Sequence, residues 1–125
     1  MTDGARHYRW DDLPQEHLTE KLDRRFISGE RLMLAQIVLK KGCQVPRHSH
    51  ENEQATYVLE GAMLFKLGAN DEEERLLKTG EVLMIPSNLP HSAEAIEDSE
   101  ATDMFSPRRD DWIAKSDQYL REAHR

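Results

Sequence analysis

Between about Arg6 and Ser106 the chain never sustains a helical apolar period, because turn chemistry interrupts it every few residues. The interruptions are Ser28-Gly29, Lys41-Gly42, Glu60-Gly61, Gly68-Ala-Asn-Asp71, Thr79-Gly80 and Pro86-Ser-Asn-Leu-Pro90. Gly, Pro and Asn supply backbone angles there that end regular pairing and reverse the chain. The segments between them read as strands: His7–Trp10, Lys21–Ile27, Arg31–Leu39, Gln54–Leu59, Ala62–Leu67, Arg75–Leu77, Val82–Ile85, Ser92–Ile96 and Ala101–Phe105. Many short strands at this spacing point to an all-β sandwich or barrel. Closing such a sheet on itself removes most of its exposed edges.

Composition narrows the partners. The 125 residues suit one domain with a single hydrophobic core. They carry 17 basic and 24 acidic side chains, a net charge of −7 with no basic cluster, which argues against nucleic acid and anionic membranes. An anionic substrate would therefore need local help from a metal or an arginine. Cys43 is the single cysteine, so no internal disulfide framework and no thiolate metal motif is expected. No apolar run approaches the roughly 20 residues of a membrane span. The opening MTDGARHYRWDD is polar and unlike a secretory signal, so the expected location is the cytoplasm.

Two segments, Arg31–Leu39 and Ala62–Leu67, carry apolar residues on both faces, as a strand covered on both sides does. Cover from a second subunit predicts a homodimer; cover by the chain's own N-terminal strands is the other possibility. Beyond Pro107, Asp110–Arg125 fits a short helix with Trp112, Ile113, Tyr119 and Leu120 as anchors. The acidic run Asp71–Arg75 reads as a solvated hairpin tip.

The chemistry concentrates in Pro46-Arg-His-Ser-His-Glu-Asn-Glu-Gln54. His48 and His50 are two apart, so on an extended chain both imidazoles share a face. Imidazole is a common transition-metal ligand, and Gln54 adds a neutral carbonyl oxygen. His91 stands later, beside a Pro-bounded strand. Together they predict a mononuclear metal site. Glu51 and Glu53 are stronger potential ligands, but they have the wrong parity if the segment stays extended, a condition that a loop between His50 and Gln54 would relax. His7, His17 and His124 read as ordinary surface residues.

The spacing is more specific than the residue types. Gly42-x5-His48-x-His50-x3-Gln54-x6-Gly61 resembles the first motif of the cupin family, and Gly80-x5-Pro86-x-Asn88-x2-His91 resembles its second. The resemblance runs from about Trp10 to Trp112. It implies a cupin double-stranded β-helix, a jelly-roll barrel holding one divalent metal, with Zn, Ni, Mn, Fe and Cu all open. By position His48, His50 and His91 match the ligand histidines, and Gln54 matches the usual ligand glutamate. Asn88 replaces a usual glycine, which is tolerable because Asn accepts left-handed backbone angles better than most residues. Ala95 replaces a frequent Asn that carries no ligand. Gln54 is the departure with consequences: three neutral imidazoles and a neutral amide leave the ion's charge uncompensated, which favours anionic ligands and Lewis-acid chemistry.

A second constellation follows in Asp103-Met-Phe-Ser-Pro-Arg-Arg-Asp-Asp-Trp112. On a strand, Ala101, Asp103 and Phe105 share a face, so Asp103 lies between apolar neighbours and could serve as general base or acid. Arg109 could fold back to clamp a carboxylate with its planar fork; Arg108 is its rival, and a plain surface pair with Asp110 or Asp111 is the structural alternative. This ending resembles the small cupins of the KdgF type, which act in pectin degradation. That likeness implies catalytic roles for Asp103 and Arg109 and conversion of 4,5-unsaturated uronates to the linear keto sugar. An iron oxygenase, a polyketide cyclase-like enzyme and a non-catalytic metal- or sugar-binding module are the competing readings.

Overall fold

A computed structural model describes residues 4–121. Ten strands form two antiparallel sheets. The first six strands among the described residues are β1 (Glu16–Thr19), β2 (Leu22–Ser28), β3 (Met33–Leu39), β4 (Gln44–His48), β5 (Glu53–Glu60) and β6 (Ala62–Leu67). They are followed by β7 (Glu73–Lys78), β8 (Val82–Ile85), β9 (His91–Ala95) and β10 (Ser99–Ser106). One sheet has the order β1-β2-β3-β10-β5-β8 and the other β4-β9-β6-β7. Strands distant in sequence become neighbours, giving the expected all-β jelly-roll barrel. No helix among the described residues is long and apolar enough to cross a membrane.

The core lies between the sheets. Met33, Ala35, Ile37 and Leu39 alternate inward along β3, and face Met63, Phe65 and Leu67 of β6 and Ala93 and Ala95 of β9 across the interior. Gly61 turns β5 into β6 at φ 101°; a Cβ there would lie 2.3 Å from Ser99 Oγ and 2.5 Å from the Asp98 carbonyl, so no other residue fits without moving that backbone.

Most strand expectations correspond to observed strands, and the differences have physical causes. His7–Trp10 is not a strand: a 3-10 turn at Trp10–Asp12 follows an extended entry, and the segment is held by Arg25 Nη1 donating to the Trp10 carbonyl at 2.8 Å. Strands β1 and β4 were not expected. Both are sheet edges, and both are polar; Pro46 sits within β4, a position that an edge strand tolerates because its N–H side need not pair. The acidic run from Asp71 spans the turn and the first residues of β7.

The expected helix Asp110–Arg125 is instead two single turns, α1 (Asp110–Ile113) and α2 (Gln118–Arg121). Lys115 adopts φ 58° between them, and Asp117 turns inward to Arg24. Trp112 and Leu120 are buried anchors, whereas Ile113 is exposed. Residues 122–125, including His124, lie outside the described residues.

Candidate metal centre

Three elements bring the histidines together. His48 ends β4 and is the register partner of His91, which opens β9. His50 lies in the β4–β5 loop, where its carbonyl accepts from the Asn88 amide at 2.8 Å. Asn88 takes φ 66°, the left-handed geometry that allows this contact. The three ligand nitrogens lie within 4.8 Å of one another.

Each ring is held in the same way. The Nδ1 atoms donate to backbone carbonyls: His48 to Pro46 at 2.9 Å, His50 to Asn52 at 2.9 Å and His91 to Leu89 at 2.8 Å. Fixing the proton on Nδ1 leaves the Nε2 lone pairs for a common ligand, the usual device for orienting metal-binding imidazoles. Burial pushes His48 down to about 3, with His91 and His50 adding to the effect. Burial likewise lowers His91 to about 4, and His50 is lowered by burial and by Arg109. All three rings are therefore neutral at neutral pH. His91 Nε2 is buried with no hydrogen-bond partner among the described residues, as an atom reserved for a cation would be.

Gln54 completes the cluster. It points inward from β5, while Glu51, in the loop before it, and Glu53 are exposed. Its Oε1 lies 3.0 Å from His50 Nε2. With the His50 proton on Nδ1, these atoms are two acceptors face to face, an arrangement that fits a cation between them. The residues present thus fit a divalent metal held by His48, His50, His91 and Gln54.

Asp103 is the register partner of Thr56, and both open onto the cavity beside the cluster. Burial pushes its carboxyl up to about 6, against the Thr56 hydroxyl and Arg109, which lower it. Arg109 is only 2% exposed and lines the same cavity. Its Nε and Nη2 donate to the Asp111 carboxylate at 2.9 and 2.7 Å, and Nη2 also donates to the Tyr119 hydroxyl at 2.7 Å. Burial works against its charge, but Asp111 more than offsets this and holds the guanidinium charged. The pairing with Asp111 is the structural alternative foreseen for this arginine, yet Nη1 is buried without a hydrogen-bond partner among the described residues. Arg108 is exposed, bonded to Asp110, and absent from the cavity wall.

Sequence reasoning passed over three residues of this site. Asn52 is buried and donates to the Pro107 and Arg108 carbonyls at 2.6 and 3.2 Å, tying the histidine loop to the chain that carries Arg109. Thr56 shares the inward face of β5 with Gln54, a signal that period-two parity did contain. Tyr119 reaches the site only because α2 folds back, and nothing local in the sequence signals that.

Residues 35–105 match the family model described as the cupin domain. The chain belongs to the cupin family. It is 31% identical over 111 residues to the pectin degradation protein KdgF of Dickeya dadantii, covering 86% of this chain and 98% of that protein. Among solved structures, KdgF from a Halomonas species superposes with a TM-score of 0.74 at 31% identity, covering 82% of this chain and 94% of that one. An RmlC-like cupin from Shewanella frigidimarina gives a TM-score of 0.79 at 24% identity, over 90% and 99% of the two chains; it supports the fold alone. The first cupin motif and the three histidines fall within the matched stretch, while Arg109 and Tyr119 lie beyond residue 105.

Proposed function

We propose that this cupin is a metal-dependent enzyme that converts 4,5-unsaturated uronates, the products of pectin or alginate lyases, to the linear keto sugar. The observation that carries the reading is the placement of Asp103 and Arg109, whose buried Nη1 has no hydrogen-bond partner among the described residues, on one cavity beside a neutral ligand set. Likeness to two KdgF proteins at 31% identity, one of them described as a pectin degradation protein, supports the substrate class.

The residues suit the steps of that isomerisation. Opening the ring takes a proton from the anomeric hydroxyl, breaks the bond between the anomeric carbon and the ring oxygen, and leaves an aldehyde and an enolate. Returning that proton to C4 turns the enolate into the ketone, so no atom is gained or lost. Asp103, with a carboxyl titrating at about 6, can take and return a proton near neutral pH. Arg109, held in place by Asp111 and Tyr119, offers Nη1 to the substrate carboxylate. A bound divalent metal supplies Lewis acidity toward the sugar oxygens.

The outer face of the larger sheet supports a homodimer. Met104, Tyr57, Val82 and Met84 are exposed on the adjacent strands β10, β5 and β8. Sedimentation at micromolar concentration should give a dimer that Met84→Glu dissociates; a wild-type monomer removes this part of the proposal.

The catalytic reading is tested with 4,5-unsaturated galacturonate and the chain reconstituted with Zn, Ni, Mn, Fe or Cu. The expected result is decay of the unsaturated chromophore only with metal, and no decay in Asp103→Ala even at metal concentrations that saturate the variant. Metal-replete protein inert toward unsaturated galacturonate, guluronate and mannuronate derivatives would overturn it.

A further inference from the structure

Besides its lack of charge, Gln54 differs from a carboxylate in a second respect that bears on the metal centre: only one end of its amide can ligate a cation. A half turn about its last torsion exchanges the acceptor Oε1 for the donor Nε2 at little steric cost. A glutamate at this position would present an acceptor either way. The amide therefore needs something that tells its two ends apart.

Thr56 makes that distinction. Its hydroxyl donates its one proton to Asp103 Oδ1 at 2.6 Å. What remains on Oγ1 is lone pairs, and these accept from Gln54 Nε2 at 2.9 Å. With its proton committed to an acceptor, the hydroxyl cannot satisfy Gln54 in the flipped orientation, where two oxygens would face each other. The opposite end, Oε1, is thereby directed at His50 Nε2. The three side chains line up because Gln54 and Thr56 share the inward face of β5 and Asp103 pairs with Thr56 across β10. Thr56 is 1% exposed, so water does not compete for these bonds.

We infer that Thr56 is a positioning residue for the metal, orienting the Gln54 amide so that its oxygen and not its nitrogen faces the ion. The inference rests on the reading of Gln54 as a ligand. It assigns the Asp103 carboxylate a second task, as the fixed acceptor that sets the polarity of the chain of hydrogen bonds.

The test is Co(II) binding to the full-length metal-free chain, measured by competition with a chromophoric chelator and by the visible spectrum of the bound ion. Thr56→Val should weaken Co(II) binding roughly tenfold, in the range by which ligand-orienting partners act, and Thr56→Ser should restore it. In a Gln54→Glu background, where both ends are acceptors, the same Thr56→Val change should cost less than about twofold. Equal losses in the two backgrounds would make Thr56 a packing residue and overturn the inference. So would wild-type affinity and spectrum in Thr56→Val while Gln54→Ala binds more weakly. If Gln54→Ala itself leaves affinity and spectrum unchanged, the ligand reading fails first and the inference falls with it. Thr56→Ala replaces the valine variant in every arm should thermal melts show that valine is not accommodated.

Discussion

Tyr119 lies over His48 with ring centroids 3.9 Å apart and planes inclined by 23°. The same tyrosine accepts hydrogen bonds from Arg109 Nη2 at 2.7 Å and Trp112 Nε1 at 3.1 Å, so it links the proposed carboxylate clamp to a candidate ligand histidine. Its ring contributes to the burial that keeps His48 neutral. Tyr119→Ala should open that side of the site and accelerate metal removal by a chelator at least severalfold. Tyr119→Phe keeps the stacked ring and loses the hydroxyl, so it should retain metal like the wild type. Chelator-driven release rates separate the two; identical rates in all three proteins would remove Tyr119 from the site.

A buried ion pair holds this tyrosine in place. Arg24 Nη1 donates to Asp117 Oδ2 at 2.5 Å, both side chains fully buried, and Arg24 also binds Glu16 and stacks on Trp112 at 4.4 Å. Removing one partner of such a pair leaves a buried charge uncompensated, at a cost of about 3–5 kcal/mol. Glu16 remains in Asp117→Ala, so the lower end of that range is expected in urea unfolding. The loss should also loosen α2 and raise the chelator release rate toward that of Tyr119→Ala. A stable variant with unchanged release would show that the pair does not hold the segment.

Asp103 sets the pH dependence. Its carboxyl, raised to about 6 by burial, is protonated below that pH and cannot accept a proton from substrate. The ratio kcat/KM should therefore rise tenfold per pH unit up to about 6 and flatten above it. The same shift has a cost in stability. A carboxyl whose folded pKa is raised binds its proton more tightly in the folded state, so stability is lost as pH rises through the window up to about 6. Asp103→Asn should thus be inactive yet more stable than the wild type at pH 8, with the gap closing by pH 4. Melting temperatures that differ equally at both pH values would contradict this assignment.

The legible part of the molecule was the part written in period-two alternation and fixed motif spacing. Gln54 could be placed inward and Glu53 outward chiefly from the family spacing, with parity in agreement, and Asn88 could be expected to tolerate left-handed angles where the motif usually has glycine. The edge strands β1 and β4 were not legible, because an edge strand needs no apolar face and a sequence such as Gln44-Val-Pro-Arg-His48 reads as loop. The C-terminal segment was misread as one helix because its residues satisfy helical spacing locally. What breaks it is Asp117 pairing with Arg24, 93 positions away, a contact that no local pattern encodes. Tyr119 was hidden for the same reason: its role depends on where α2 lands.

In the proposed enzyme, charge at position 54 decides between holding the metal and holding the substrate. With three neutral imidazoles and a neutral amide, the positive field of the ion and of Arg109 is directed at whatever anion enters the cavity. Gln54→Glu adds one negative charge to that set. Two unit charges about 4 Å apart interact by about 1 kcal/mol in water and about 4 kcal/mol at the edge of a protein. The added carboxylate should tighten metal binding by at least tenfold and weaken an anionic uronate by a similar factor, seen as a raised KM. Both changes follow from one charge, so they must appear together. A variant that binds metal more tightly with an unchanged KM would show that the neutral ligand set is not what attracts the substrate.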